Sequence, residues 1–210
     1  MPNIKFPRIF HLPWSEGLQS DDKRVDAYAM NALSTKELVV LEKMDGENTT
    51  LTEDNCFARS LDSVDHPSRH WVKKLWGSLK YDLKGIRLHG ENVYARHSVA
   101  YDNLDSYFML FGVSDATTNA YYAWEDVQMV AAELSLITVP FIKFIQAGEL
   151  SETVASVETS KQEGYVVRNV EAFMFSQESF NTNIAKYVRA NHVQSDNHWM
   201  HSAVVPNGLK

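Results

Sequence analysis

The sequence predicts an α+β domain in which short antiparallel strands dominate and amphipathic helices flank them. Three observations carry that expectation. Short apolar runs recur with turn chemistry between them, as at 38–42, 48–53 and 56–60 around Asp45-Gly46 and Asp54-Asn55. Two longer stretches, opening at Pro67 and at Trp124, space their apolar residues for a helix instead. Charged residues also stand at the ends of four β-like runs spread along the chain, the arrangement that a cleft between two sheets needs.

Taken in order, Pro2, Pro7 and Pro13 favour an extended lead-in over a helix across residues 1–36. Within it, His11 and Trp14 read either as ligand contacts or as aromatic packing beside a turn. Runs 38–42, 48–53 and 56–60 then form a meander of antiparallel strands. Pro67 opens a helix that carries Trp71, Leu75 and Leu79 on one face. Lys73, Lys74, Lys80 and Lys84 surround it, and these suit a solvated face, the alternative being a patch turned toward phosphates. A strand from Ile86 to Tyr94 includes Gly90-Glu91-Asn92, an apolar strand spans 107–113, and Tyr121-Tyr122 lie in a short one. Val127, Val130, Ala131 and Leu134 share a face of the helix from Trp124 to Leu136, which Val139-Pro140 terminates ahead of the run 141–145. Residues 149–161 read as a weak helix or a loop, and strands follow at 163–168 and 184–189.

Beyond residue 190 the chain is polar, with His192, His198 and His201 at a spacing open to zinc. No cysteine or acid there completes a tetrahedral set, so surface or phosphate-contacting histidines are the alternative. His97 reads as structural or as a substrate contact rather than as a catalytic base.

The chain has 210 residues, of which 44% are hydrophobic, 11% aromatic and 22% charged, a composition ordinary for a soluble globular protein. No internal repeat, low-complexity tract or linker divides it, so residues 1–210 read as a single domain. No apolar run reaches membrane-spanning length and the start MPNIKFPRIF lacks the apolar core of a signal peptide. Cys56 is the only cysteine, which excludes an internal disulfide and points to a reducing, cytoplasmic setting. A net charge of −7 argues against a protein that coats nucleic acid nonspecifically, while leaving room for a local basic cleft that grips a few phosphates.

The stretch most suggestive of chemistry is Lys43-Met44-Asp45-Gly46-Glu47-Asn48, after the apolar run Leu38-Val39-Val40-Leu41-Glu42. A lysine at the end of a buried strand presents an amine, and burial or a neighbouring cation can suppress its charge and make it nucleophilic. The glycine permits a sharp turn and a close backbone approach to a ligand. On its own the hexapeptide reads equally as a strand followed by an Asp-Gly turn. Lys43/Asp45, Glu91, Glu163/Arg168 and Lys186/Arg189 together are more telling. Acids and bases gathered in one cleft suit metal-assisted chemistry on a polyphosphate, the carboxylates holding magnesium and the cations neutralising phosphoryl oxygens.

In this order the segments resemble a known superfamily, the covalent nucleotidyltransferases, which comprises ATP-dependent DNA and RNA ligases and RNA capping enzymes. KMDGEN is similar to its first motif, HGENVY to the third, YFMLFGV to the adjoining aromatic motif, EGYVVR to the fourth and IAKYVR to the fifth. FARS and ENVYARHSVAY resemble the RNA ligase branch, the group of RNA-editing and nick-sealing enzymes. The resemblance spans about residues 38 to 200.

It implies a nucleotidyltransferase (ATP-grasp-like) domain of two mainly antiparallel sheets with flanking helices and the nucleotide in the cleft between them. The implied activity seals 3′-OH and 5′-phosphate ends through lysyl-AMP and 5′-adenylated polynucleotide intermediates. Its cofactors are ATP and Mg2+, with Mn2+ as a substitute, and its partner is RNA, as a nicked duplex or RNA–DNA hybrid, with no membrane and with a separate end-healing kinase or phosphatase. By the same resemblance Lys43 attacks the α-phosphorus, Glu91 binds the ribose, Phe111 stacks on adenine, and Arg59 lies near ribose or nucleic-acid phosphate. Glu163 and Asp45 hold the metal. Lys186 contacts the α-phosphate, Glu42 joins the nucleotide-binding positions, and Asn48 serves the step after adenylation. The alternatives are a ligase that accepts DNA on the 5′-phosphate side, a DNA ligase, or a guanylyltransferase.

Two departures stand out. Relatives often carry two fifth-motif lysines one residue apart, whereas Lys186 is flanked at that spacing by Ile184 and Val188, with Arg189 a step beyond. Only 21 residues follow Arg189, so neither an oligonucleotide-binding barrel nor a helical domain is expected.

Overall fold

The computed structural model describes residues 2–62, 65–156, 158, 161–190 and 204–210. His192, His198 and His201 lie outside the described residues. In chain order the elements begin with β1 (Phe10–His11), α1 (Ala27–Ser34), β2 (Leu38–Lys43), β3 (Glu47–Leu51) and β4 (Cys56–Ala58). A 3-10 turn at Pro67–Arg69 leads into α2 (His70–Leu79), then β5 (Ile86–Asn92), β6 (Phe108–Asp115) and β7 (Ala120–Tyr121). Next come α3 (Trp124–Glu133), β8 (Ile137–Thr138), β9 (Phe141–Ile145) and β10 (Gly164–Asn169). The last are β11 (Phe173–Met174), α4 (Gln177–Asn183) and β12 (Ile184–Val188). No helix among the described residues is long and apolar enough to cross a membrane.

The strands form two sheets, as expected for an α+β domain with mainly antiparallel pairing. One has the order β1-β12-β10-β2-β9, antiparallel apart from the β1–β12 pair. The other runs β11-β7-β6-β5-β3-β4, with β8 added in parallel beside β6. β2 explains its own continuous apolar run, because both of its faces are buried. Val39 and Leu41 point into the core shared with Leu88, Phe108 and Val113 of the second sheet. Leu38 and Val40 point the other way, against Leu33 of α1, Val25 and Ala185.

Three expectations need correction. The lead-in is not extended throughout: Asp26 accepts a hydrogen bond from the Ala29 N–H at 2.7 Å and caps α1, which buries Ala29 and Leu33. The early prolines all precede that cap, so they do not oppose the helix. Second, residues 38–60 are not one meander. β3 and β4 form a hairpin, but β2 pairs with β9 and β10, so the link from Lys43 to Glu47 crosses from one sheet to the other. Third, β1, β8, β11 and α4 had no separate place in the expected element order; each has seven residues or fewer, too short for a periodic signal. Residue span 149–161 contains no helix among its described residues.

Gly46 lies at this crossing, and its closest neighbour is protein rather than open space for a ligand. A Cβ there would fall 2.5 Å from the Asn92 carbonyl oxygen and 2.9 Å from Val93 Cγ1. Substitution Gly46→Ala is therefore expected to cost about 1–3 kcal/mol, the usual price of forcing extra volume into packed structure. Urea unfolding measures it, and an unchanged midpoint would mean that the crossing has slack.

Residues 4–9 are held by an aromatic knot. Phe6 is 2% exposed and meets Phe111, Phe175 and Phe180 edge-on, with ring centroids 5.3–5.7 Å apart. Arg168 of β10 is fully buried beside this knot. It donates to the Tyr122 carbonyl at 2.6 Å and lies 4.8 Å over the Tyr121 ring, so the guanidinium ties the two sheets together.

Candidate active site

The sheets enclose a cavity of about 270 Å3. Strand register decides which side chains reach it. Val166 of β10 stands opposite both Leu41 of β2 and Lys186 of β12, so these three form one row across the first sheet. Side chains alternate along a strand, which places Lys43 on the same face as Leu41. In the second sheet Asn48 of β3 stands directly opposite Glu91 of β5. Between β5 and β6, His89 pairs with Gly112 and Gly90 with Leu110, leaving Phe111 as the extra residue of a bulge. A bulge re-aims its side chain, and Phe111 lines the cavity.

Of the residues singled out in the sequence, Glu42, Lys43, Asn48, Arg59, Glu91, Phe111 and Lys186 all line this cavity. Glu163 joins them through Lys43, whose Nζ donates to Glu163 Oε2 at 2.6 Å. Burial opposes the Lys43 ammonium, but the surrounding carboxylates of Glu163, Glu91 and Asp45 outweigh it and raise its proton affinity. The expectation that burial would suppress this charge is thus reversed. The same crowding acts on the acids: burial raises Glu163, and burial pushes Glu91 up to about 8. Lys186 is lowered, by its burial and by the Lys43 charge.

Asn48 Oδ1 is buried and lacks a hydrogen-bond partner among the described residues. An orphaned acceptor on a cavity wall has a desolvation cost that a bound donor would remove. Arg59 Nε donates to the Phe6 carbonyl at 3.2 Å, which leaves the rest of its guanidinium to the cavity.

Other expected members sit elsewhere. Asp45 turns away from the cavity, and its Oδ2 accepts from the Ser98 and Val99 N–H groups at 2.8 and 2.7 Å. His97 Nδ1 is 3.9 Å from the other Asp45 oxygen, a structural placement. Arg189 follows the opposite face of β12 and donates to the Gln162 carbonyl at 2.8 Å, so alternation removes it from the site. Lys73 pairs with Asp65 and Lys80 lies over Trp76, which leaves the α2 lysines on a solvated face. Trp14 packs in the first-sheet core and donates to the Tyr165 hydroxyl at 2.9 Å.

The N-terminal segment supplies what the sequence reading missed: Arg8, Asp21 and Asp22 also line the cavity. Asp22 stands 3.4 Å from Lys186 Nζ and 3.1 Å from His11 Nε2, while His11 Nδ1 faces Ser15 Oγ at 2.7 Å. Burial and the Lys186 charge lower His11 to about 4, so the ring is neutral near pH 7. The pairing of β1 with β12 delivers this row. In sequence, Asp21-Asp22-Lys23-Arg24 carries no signal that separates it from an ordinary charged turn.

Among the described residues no group of three or more His, Cys, Asp or Glu is placed to hold a metal ion. A magnesium site that uses one carboxylate and the phosphates of a nucleotide needs no such group. Glu163, next to Lys43, has the chemistry for the protein's share of that site.

The RNA ligase family model matches residues 36–188. The chain belongs to the RNA ligase family. No curated protein matches this family member at the sequence level. Its fold is that of solved RNA ligases. A variant of Naegleria gruberi RNA ligase with ATP and manganese superposes with a TM-score of 0.55 at 16% identity, over 90% of this chain and 62% of that one. An archaeal ATP-dependent RNA ligase gives 0.58 at 15% identity, over 88% of this chain and 48% of that one. A further Naegleria variant, with AMP and manganese, gives 0.55 at 15% identity, over 88% and 57%. This RNA-ligase-family chain thus spans roughly half to three-fifths of the length of these solved relatives.

Glu91 makes a direct test of the buried charge. Its folded pKa lies above its unfolded one, so burial carries no ionisation penalty below the unfolded value near 4.5, and the penalty grows as pH rises toward 8. Substitution Glu91→Gln keeps an oxygen that can accept the 3.2 Å bond from Gly46 N–H and removes the penalty. Expected is a gain on the order of 1–3 kcal/mol at pH 8 and much less at pH 5, measured by thermal unfolding at both pH values.

Proposed function

We propose that the chain is an ATP-dependent RNA ligase that joins a 3′-OH to a 5′-phosphate by way of a lysyl-AMP and a 5′-adenylated RNA. The observation that carries this reading is the contact between Lys43 and Glu163 in a cavity shared with Asn48, Glu91, Phe111 and Lys186. The ATP, AMP and manganese in the solved relatives support the choice of nucleotide and of a divalent ion.

In the first step the Lys43 ammonium passes a proton across 2.6 Å to Glu163, whose burial favours receiving it. The free amine attacks the α-phosphorus of ATP. A nitrogen–phosphorus bond forms as the bond to pyrophosphate breaks. Phe111 offers an apolar face to adenine and Glu91 an acceptor to the ribose, with Glu42 at the same wall. Lys186 and Arg59 face the phosphates as fixed cations, and Asp22 holds Lys186 in place. Before it takes the Lys43 proton, Glu163 would help hold a magnesium or manganese ion beside the phosphates, and the ion would offset charge on the phosphoryl oxygens. Asp45 has one oxygen occupied by two backbone N–H groups, and this reading gives it the Ser98–Val99 loop rather than the metal.

AMP then passes to an RNA 5′-phosphate, and a 3′-OH displaces it to seal the strand. Asn48, with its unpartnered oxygen, serves this last step. A nicked duplex or RNA–DNA hybrid is the substrate, with its ends prepared by a separate kinase or phosphatase.

The test is label transfer. The purified chain is incubated with magnesium and α-labelled ATP, GTP or NAD in parallel, and its mass is read. A gain of one AMP from ATP alone, followed by sealing of a nicked RNA, is expected. A GMP adduct would point to capping-type chemistry, and no adduct from any donor would overturn the proposal.

A further inference from the structure

The cavity continues outward into a groove whose lining is cationic. Arg8, Arg59 and Phe6 belong to both, and beyond them lie Lys5, Lys23 and Phe10. The groove measures about 660 Å3, and among the described residues no carboxylate lines it. On a chain of net charge −7 this is a concentration of positive charge against the overall balance.

Its cations are poorly neutralised. Arg8 pairs with Asp21 at 2.9 Å. Lys5, Lys23 and Arg59 form no ion pair among the described residues. Burial lowers Arg59, and the neighbouring Arg8 charge lowers it further, so two guanidinium groups are held within each other's field. An anion between them would relieve that repulsion.

The groove is also built rather than incidental. The Gln177 side chain clasps the backbone of Arg8 at both ends: Arg8 N–H donates to Oε1 at 2.7 Å, and Nε2 donates to the Arg8 carbonyl at 2.8 Å. Phe6, buried next door, fixes the same segment against both sheets. Lys23 is positioned from β1, where its carbonyl accepts from the His11 N–H at 2.8 Å.

We propose that this groove, lined by Lys5, Arg8, Lys23 and Arg59, binds the phosphate backbone of the RNA strand whose end reaches Lys43. The proposal rests on the ligase reading above. A single triphosphate is a poorer occupant, because Lys5 and Lys23 line the groove and not the cavity, and so serve anions beyond the reacting phosphates. A strand supplies one phosphate after another along such a path. Phe10 adds an apolar face on which a base can stack.

The experiment compares wild type with the double variant K5E/K23E and with K80E/K84E, which reverses two lysines that do not line the groove. Lys5 and Lys23 are exposed, so the fold tolerates them, and a melting curve verifies this. Fluorescence anisotropy with a 5′-phosphorylated RNA oligonucleotide gives affinity across a salt series, and AMP-adduct formation is read in the same preparations. K5E/K23E is expected to lose at least tenfold in RNA affinity. Its log–log salt slope should shrink by about 1.4, or about 0.7 for each lost phosphate contact on a single strand. K80E/K84E should match wild type.

Equal loss in both variants would make the effect general electrostatics, and RNA binding by K5E/K23E at wild-type strength would reject the groove. Loss of adduct formation with RNA affinity retained would assign the groove to the triphosphate and also overturn the proposal. Failure of the ligase reading is distinct, because wild type itself would then form no AMP adduct.

Discussion

Substitution Lys43→Ala is expected to reduce AMP-adduct formation to background, with ATP and magnesium saturating. No other lysine in the cavity can take over. Lys186 is the only other lysine lining it, and it stands across the row from Leu41 and Val166, held by Asp22. The alanine variant also leaves Glu163 and Glu91 buried without their cation, and losing one member of a buried pair costs on the order of 3–5 kcal/mol. Substitution Lys43→Arg separates the two effects. It keeps a cation beside Glu163, so it should unfold near wild type and still form no adduct. An adduct on either variant, read by mass, would move the nucleophile elsewhere.

The second large effect is at Glu163. Exchange to glutamine preserves shape and burial but removes the negative charge to which the proposed reaction assigns both proton acceptance and the hold on the metal. The adduct-forming rate should fall by about 10²–10⁴, the range for a lost general base. The pH profile carries more information than the rate. Glu163 is the largest of the charges that raise Lys43, so its loss lowers the Lys43 pKa from its wild-type level. The residual activity of Glu163→Gln should therefore begin to rise at a lower pH than in wild type. If excess magnesium restores the rate in full, holding the metal is the residue's main contribution. A profile and rate equal to wild type would remove Glu163 from the chemistry.

Much of this site was legible because its residues sit where two local signals coincide, an apolar run and a charge at its end. Lys43, Glu91, Glu163 and Lys186 all have that form, and the structure brings them to one cleft. Phe111 was visible only as part of an aromatic motif, since the bulge that turns it inward depends on pairing with β5. Alternation along β12 would have set Arg189 aside from Lys186 had the strand's inner face been known. What local patterns could not carry is the sheet assignment. The turn chemistry of Asp45-Gly46 suits a hairpin, yet β2 is drawn away by partners far along the chain. Arg8, Asp21 and Asp22 were hidden for a related reason. Their segment is irregular, and its place is set by Phe6 packing and by pairing of β1 with β12.

The crossing between Lys43 and Glu47 has a consequence for the order in which this protein assembles. β3, β4, β5 and β6 pair among themselves, so the wall bearing Asn48, Glu91 and Phe111 closes over shorter separations, even though α2 lies between β3 and β5. The wall bearing Lys43 closes over long ones, since Lys43 and Glu163 are 120 residues apart. Loop closure over such separations is entropically slow, and on a ribosome the later strands do not yet exist. The half that would receive the base therefore forms early in synthesis, with Lys43 at its edge. Lys43 gains its carboxylate partner only when Glu163, just ahead of β10, arrives, and a neighbouring cation only with Lys186 of β12.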